Sequence, residues 1–587
     1  MFVRTPAENM VLRTAERQRR RSGWIVAEIF LGALMLANAI AQPSAVVVRG
    51  LEAGAPDVDR GEMLLSELNC TACHAAAPAV IARLAPASAP LLGTAAARMR
   101  ADYLRAFIRD PVATKPGTTM PALLHGMSDT ERDETAALLV QFLESVAPPK
   151  PAAAVTLDRA AFEQGRVLFH RVGCVACHAP REPAMNLFPK TAVPTDPDAA
   201  QFVLKQLNET SVPLGDLRRE YAPSELARFL LDPLATHPTG RMPSLNLTEA
   251  EAGAIATYLE FSGPETNPPP AAIAGAAAFV VEAARAKRGR DLFASLGCAA
   301  CHELGFGQPN VVSTLAAKPL ANLNADSPDG CLAATPAAGR PRYQFSDAQR
   351  AALRATLAGR ARLAQPLTAE EEVATTMVRL DCFACHSRAG YGGPTPSRAD
   401  YFTTLTDADL GDEGRLPPHL TGVGDKLRAA WLREVLVQRG AVRPYMATRM
   451  PQFGAANVVQ LVAEFGAADA PPLPAWPVVR GSAEMGRRLV GTNGCSCITC
   501  HRYGGRPSLT LSVMDLTQMA KQLKPEWFRQ YLLDPTALRP GTRMTSFWLD
   551  GKATVQTILG GDTERQIRSI WLYLLYGDRA PPPAGLP

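Results

Sequence analysis

Five short runs carry the reactive side chains of this chain. Cys70, Cys73 and His74; Cys174, Cys177 and His178; Cys298, Cys301 and His302; Cys382, Cys385 and His386; and Cys497, Cys500 and His501 each read Cys-x-x-Cys-His. They use ten of the 12 cysteines. Two thiols at this spacing can form thioether bonds to the vinyl groups of one haem. The adjacent imidazole then serves as the proximal iron ligand. The spacing puts both sulfurs and the imidazole on one face of a short helix. One such run is a modest signal; five in one chain leave little room for chance.

An iron held this way needs a sixth ligand, and a thioether raises its potential relative to a second histidine. A repeated loop supplies Met120, Met242, Met450 and Met544. A loop proline stands four residues before the methionine at Pro116–Met120, Pro238–Met242 and Pro540–Met544. From Pro444 to Met450 the interval is six, so Met446 is a rival. A lone methionine is more often core than ligand; the repeated context singles these four out. Arg241, Arg449 and Arg543 each precede one of these methionines. They either pair with a haem propionate or stay solvated. His125, His170, His237 and His419 read as surface or satisfied polar residues, although His125 follows the Met120 loop and could swing to an iron.

These side chains need elements to position them. The first cysteines lie 104, 124, 84 and 115 residues apart, so a unit of about one hundred residues recurs five times. Gly61, Gly165 and Gly289 stand nine positions before a first cysteine, in RGEMLLSELN, QGRVLFHRVG and RGRDLFASLG. Val373 takes that place in the fourth unit. Apolar pairs such as Leu168 and Phe169 predict a helix running into the motif. Behind it, YLRAFIRDPVATKPGTTMP, LARFLLDPLATHPTGRMP, WLREVLVQRGAVRPYMATRMP and WFRQYLLDPTALRPGTRM each read as a helix, then a loop ending in methionine. A further helix follows, at 129–145, 248–261 and 563–575. Pro/Ala-rich linkers fall at 148–155, 267–278 and 470–477.

The 587 residues are 47% hydrophobic and 20% charged, ordinary globular usage that excludes a disordered chain and a polytopic membrane protein. A net charge of +5, spread along the chain, argues against a nucleic-acid binder. Arg17, Arg19, Arg20 and Arg21 precede the apolar stretch 25–41, which ends in Ala39-Ile40-Ala41. That is the layout of an export signal. The stretch is short of the ~20 residues that span a bilayer, and it contains Glu28. Residues 1–41 therefore read as a signal peptide or an uncleaved N-terminal membrane anchor. The remainder reads as periplasmic or otherwise extracytoplasmic.

On these motifs, units one, two, four and five resemble class I cytochrome c domains, small all-helical folds with His/Met haem. The resemblance runs from about residue 57 to 577, and the array is similar to large multihaem cytochromes of environmental bacteria. It implies an all-α tandem array: domain 1 at 57–147, domain 2 at 158–264, a truncated unit 3 at 284–364, domain 4 at 365–468 and domain 5 at 478–580. It implies five covalent haem c groups on Cys70, Cys73, Cys174, Cys177, Cys298, Cys301, Cys382, Cys385, Cys497 and Cys500. The iron ligands would be His74, Met120, His178, Met242, His302, His386, Met450, His501 and Met544. The implied function is electron transfer between redox partner proteins. In the family a loop proline's carbonyl often accepts the proximal histidine's Nδ1–H. Pro418, in PPHLTGVGDKLRAAWL, stands at that place in unit four.

Three departures mark the array. Between His302 and Glu372 there is no methionine and no histidine. KPLANLNADSPDGCLAATPAAGRPRYQFSDAQRAAL stands there instead. Haem three is thus expected to have an open position, or Cys331, Lys318 or Met377. This sets an alternative function: a haem enzyme with an open or Cys331-ligated third haem, acting on a small molecule and fed by the other four. In Cys495-Ser496-Cys497, either cysteine can be the first thiol of haem five; the two-residue gap to Cys500 favours Cys497. The spare thiols Cys331 and Cys495 form a disulfide only if their Cα atoms lie close. The 84-residue spacing suggests that units three and four fuse, sharing a helix at 345–359.

Overall fold

Local signals start the helices. Ser128 with Glu131, Thr248 with Glu251, Ser346 with Gln349 and Thr368 with Glu371 form capping boxes. Each box satisfies two backbone N–H groups that the first turn leaves unpaired. The computed structural model describes residues 45–48, 50–51, 58–150, 154–188, 201, 203–207, 211–262, 270–275, 278–406, 410–440, 443–469, 473–511 and 513–586. Its longer helices are α1 (Arg60–Glu67), α2 (Ala101–Arg109), α3 (Asp129–Val146), α4 (Arg159–Arg171), α5 (Glu225–Leu231), α6 (Glu249–Phe261) and α7 (Ala283–Ser295). They continue with α8 (Asp347–Ala358), α9 (Ala369–Arg379), α10 (Ala429–Val437), α11 (Leu461–Ala468), α12 (Ala483–Val490), α13 (Pro525–Leu533) and α14 (Thr563–Tyr576). The sheets among the described residues are three short two-stranded pairs. The fold is mostly α, as expected.

The chain divides into Met1–Ala45 and Val46–Pro587. The signal or anchor read at 1–41 lies outside the described residues. Among the described residues, no helix is long and apolar enough to cross a membrane.

Each helix leading into a Cys-x-x-Cys-His run crosses a second helix. At four crossings a glycine makes the contact: Gly61 on the Ala352 carbonyl, Gly165 on Ala254, Gly289 on Leu138 and Gly486 on Ser569. A Cβ at any of these positions would overlap the carbonyl, so only glycine permits the approach. Helix α9, with Val373 in that place, crosses α11. There the close approach has moved to Gly424, which sits on the Phe465 carbonyl.

Three crossings join neighbours in sequence: α4 with α6, α9 with α11 and α12 with α14. The other two do not. Helix α1 crosses α8, and α7 crosses α3. The expected units 57–147 and 284–364 have therefore exchanged their second halves. The His74 segment is completed by the stretch around 318–358. The His302 segment is completed by the stretch around 90–146. The physical reason is in the cores. Leu104, Leu139, Phe142 and Leu143 bury with Phe293 and Leu304, and Cys298 packs against them. Met63, Leu64 and Leu65 bury with Leu320, Phe345, Leu353 and Leu357. Fully burying such a side chain contributes about 1.5–3 kcal/mol.

Helix α8 thus closes the His74 unit and is not shared between units three and four. That core does run on into unit four, through Val373, Met377 and Phe465. Unit two sits inside the exchanged pair, its ends joined where Val155–Thr156 pairs antiparallel with Ala272–Ile273. Unit five has a core of its own around Trp548, Ile567 and Trp571.

Candidate cofactor sites

The five motifs share one local geometry. The residue before the first cysteine has a positive φ: Asn69 49°, Gly173 128°, Gly297 87°, Asp381 56° and Ser496 51°. One short turn follows, at Cys70–Ala72, Cys174–Ala176, Cys298–Cys301, Cys382–Ala384 and Cys497–Thr499. The preceding helix therefore stops before the motif, and the motif turns by itself. A helix leads into each motif and the motif forms its own short helical turn, as the sequence suggested. In unit five this repeated turn begins at Cys497. Cys495 is 1% exposed among core side chains. Neither Cys331 nor Cys495 is in a disulfide.

Each motif histidine is held by a backbone carbonyl at Nδ1. The acceptors are Lys318 for His74 (2.7 Å), Val212 for His178 (3.0 Å), Pro90 for His302 (2.9 Å), Pro418 for His386 (2.7 Å) and Met514 for His501 (3.1 Å). A carbonyl can only accept, so Nδ1 carries the proton and Nε2 keeps its lone pair. This is the tautomer and orientation that a metal-binding imidazole needs. Burial holds His302, His386 and His501 below the usual imidazole pKa, in the neutral form. Pro418 is where the sequence put it. Two of the five carbonyls come from the exchanged halves.

The methionine loops follow the same exchange. Met120 lies between α2 and α3, which pack on the His302 segment. It is not in the half that completes the His74 unit. Met242 and Met450 lie in two loops that pair antiparallel: Ser244 N–H donates to the Gln452 carbonyl (3.0 Å) and Gln452 N–H to Ser244 (2.8 Å). Each partner stands two residues beyond its methionine, so Met450, not Met446, matches Met242 in register.

Motifs four and five open onto one cavity of about 1090 Å³. Cys385, His386, Met446 and Met450 line it, as do Cys497, Cys500, His501 and Met544. Its walls are mainly apolar, but Lys426, Arg443 and Arg539 also face it. Glu413 pairs with Arg539 at 2.9 Å. Among the described residues, the other two cations have no carboxylate within ion-pair distance. Burial, then Arg539 and Arg443, pulls Lys426 down to about 7. Arg443 is likewise held below its usual value by burial and then Arg539. Buried like charges are costly unless an anion joins them. A haem with two propionates supplies apolar bulk and negative charge together, so these residues fit that cofactor. Sequence reading missed this trio, because the three cations meet only in space.

The arginines it did single out are largely used elsewhere. Arg241 pairs with Glu67 (3.1 Å) and Arg449 pairs with Glu251. Arg543 lines the cavity. His170 is satisfied at both nitrogens, by Arg166 and Arg181. Among the described residues, no cluster of three or more His, Cys, Asp or Glu is arranged to hold a bare metal ion.

The motifs also neighbour one another. The Cys177 thiol donates to Asp381, the residue before Cys382, at 3.3 Å. Tyr343 lies among the thiols of motifs one and three. The chain matches no family model, and no curated protein or solved structure is significantly similar to it.

Proposed function

We propose that the chain is a pentahaem c-type cytochrome that carries electrons outside the cytoplasm. One observation carries this reading. All five Cys-x-x-Cys-His turns fix their histidine Nδ1 on a backbone carbonyl, the tautomer that keeps the lone pair on Nε2. Each cysteine pair would hold one haem through thioether bonds, and each histidine would bind its iron. Met120 would complete the iron of His302, Met242 that of His178, Met450 that of His386 and Met544 that of His501. The bound haems supply one-electron redox chemistry. The chain's own residues hold the imidazoles in one tautomer and wall the shared cavity with apolar side chains, and Lys426 and Arg443, which line it, would pair with the cofactor's carboxylates. Motifs one with three, two with four, and four with five are neighbours, which suits transfer along the array.

The test is covalent haem per chain, by pyridine haemochrome and intact mass, followed by peptide mapping. The expected count is five, with the first thioether of the last haem on Cys497. Fewer than four attached haems would overturn the reading. Haem retained in Cys497→Ala but lost in Cys495→Ala would reverse the assignment of that thiol.

A further inference from the structure

We infer that the haem of His74 is the chain's small-ligand site, with no protein side chain on its sixth position. The inference rests on the multihaem reading above. It moves the expected exception from the third motif to the first.

The argument is one of register. Met120-Pro121-Ala122, Met242-Pro243-Ser244 and Met450-Pro451-Gln452 share a Met-Pro-x pattern. The second and third of these loops pair with each other at the residue two beyond the methionine. The first pairs in the same way with the half that completes the His74 unit. Ala122 N–H donates to the Arg342 carbonyl (2.9 Å) and Arg342 N–H to Ala122 (3.2 Å). Two residues before Arg342 stands Arg340, and Pro341 fills the proline place. Arg340-Pro341-Arg342 is therefore the methionine loop of the His74 unit, with arginine where the thioether belongs. A guanidinium is always protonated and offers no lone pair to a metal. Arg340 is also exposed.

The nearby histidines and methionines are committed. No histidine or methionine occurs between 303 and 376. Met377 and Met63 are buried in the core. His125 approaches the same loop, but its Nε2–H donates to the Arg340 carbonyl at 2.8 Å. Met127 accepts from the Thr135 hydroxyl. Cys331 lies nine residues before the methionine register. Its thiol stands near those of Cys70 and Cys73, which makes it the rival donor that Cys331→Ser tests.

What surrounds Cys70 suits a small, uncharged ligand. Leu320 and the partly buried Leu323, Leu332 and Tyr343 pack in its cluster. The Tyr343 hydroxyl bonds to no described protein group, which leaves one donor among apolar walls. The ligand class is a neutral π-acceptor diatomic such as carbon monoxide or nitric oxide. Access and ligand set decide whether a haem binds such molecules or only relays electrons.

Carbon monoxide is the probe, added to the reduced, haem-loaded full chain. The expected uptake is one equivalent per chain. Arg340→Met should abolish it, by restoring a thioether to the register, and should add a methionine–iron band in the ferric spectrum. Met120→Ala should raise uptake from one equivalent to two. Wild-type protein with five haems and no uptake overturns the inference; a ferric thiolate EPR signal lost in Cys331→Ser would then name the occupant. Uptake that persists unchanged in Arg340→Met overturns it as well. Absence of covalent haem would instead sink the cytochrome reading itself, so the two failures are distinguishable.

Discussion

The Nδ1–H of His302 donates to the carbonyl of Pro90, 212 residues earlier, at 2.9 Å. Its counterpart bond, His74 to Lys318, spans 244 residues in the opposite sense. The two bonds interlock the first and third units. Neither unit is complete without the other's half.

Fragments should behave accordingly. Residues 476–587 carry their own crossing, core and motif, and should fold alone with one haem. Residues 57–147 lack Phe293 and Leu304, which their apolar face buries against. That fragment should express as an unfolded or aggregated chain. Co-expressing it with 279–364 should restore a soluble pair. Circular dichroism and haem staining of the three preparations decide the matter, and a folded 57–147 alone would refute the exchange.

The glycine crossings should be sensitive to a single methyl group. Gly165→Ala pushes a Cβ into the Ala254 carbonyl of α6 and should cost about 2–3 kcal/mol. Gly253→Ala, on the same helix, meets nothing within 4 Å. It should instead stabilise by about 0.5–1 kcal/mol, because alanine loses less backbone freedom on folding. Urea unfolding of both variants provides the comparison.

Burial pushes His170 down to about 4. Its Nδ1–H donates to the Arg166 carbonyl and its Nε2 accepts the Arg181 N–H, so the folded state holds the neutral ring. The unfolded chain takes up the proton first as pH falls. Stability is therefore full above pH ~6.5 and declines toward pH ~4, by at most about 3 kcal/mol. In His170→Phe this slope should vanish whatever the absolute stability. Unfolding free energies at several pH values across that window check it.

Lys426 faces the shared cavity, with its ammonium 4.8 Å from the Trp527 ring centroid. Removing its charge favours the ferric state of a neighbouring haem. Lys426→Met should lower one or both potentials of the fourth and fifth haems, by an amount on the order of tens of millivolts. It should leave the first three unchanged. Spectroelectrochemical titration of the loaded protein reads the shift, and an upward shift would place the lysine elsewhere.

Much of the site was local enough to read in the sequence. A Cys-x-x-Cys-His turn is complete within five residues, so its two thiols and its imidazole are legible without the rest of the chain. The helices at 129–146, 249–261 and 563–576 were legible from apolar spacing and capping residues. Pro418 was legible because unit four keeps its two halves adjacent. Which half completes which motif was not. Four of the five leading helices present the same glycine-and-apolar face, and the helices they cross present similar complementary ones, so composition and spacing fit several pairings. Only long-range packing chose α1 with α8 and α7 with α3. That choice also put the helices on either side of Met120 with the His302 segment and paired Ala122 with Arg342 of the half that completes the His74 unit. The Lys426, Arg443 and Arg539 cluster was hidden for the same reason: its charges come from distant segments and meet only where the fold encloses them. The sequence by itself determined the number of motifs and the reactive side chains each one offers. Tertiary structure decided how the sites are completed, because helix-on-helix burial acts between surfaces and does not follow chain order.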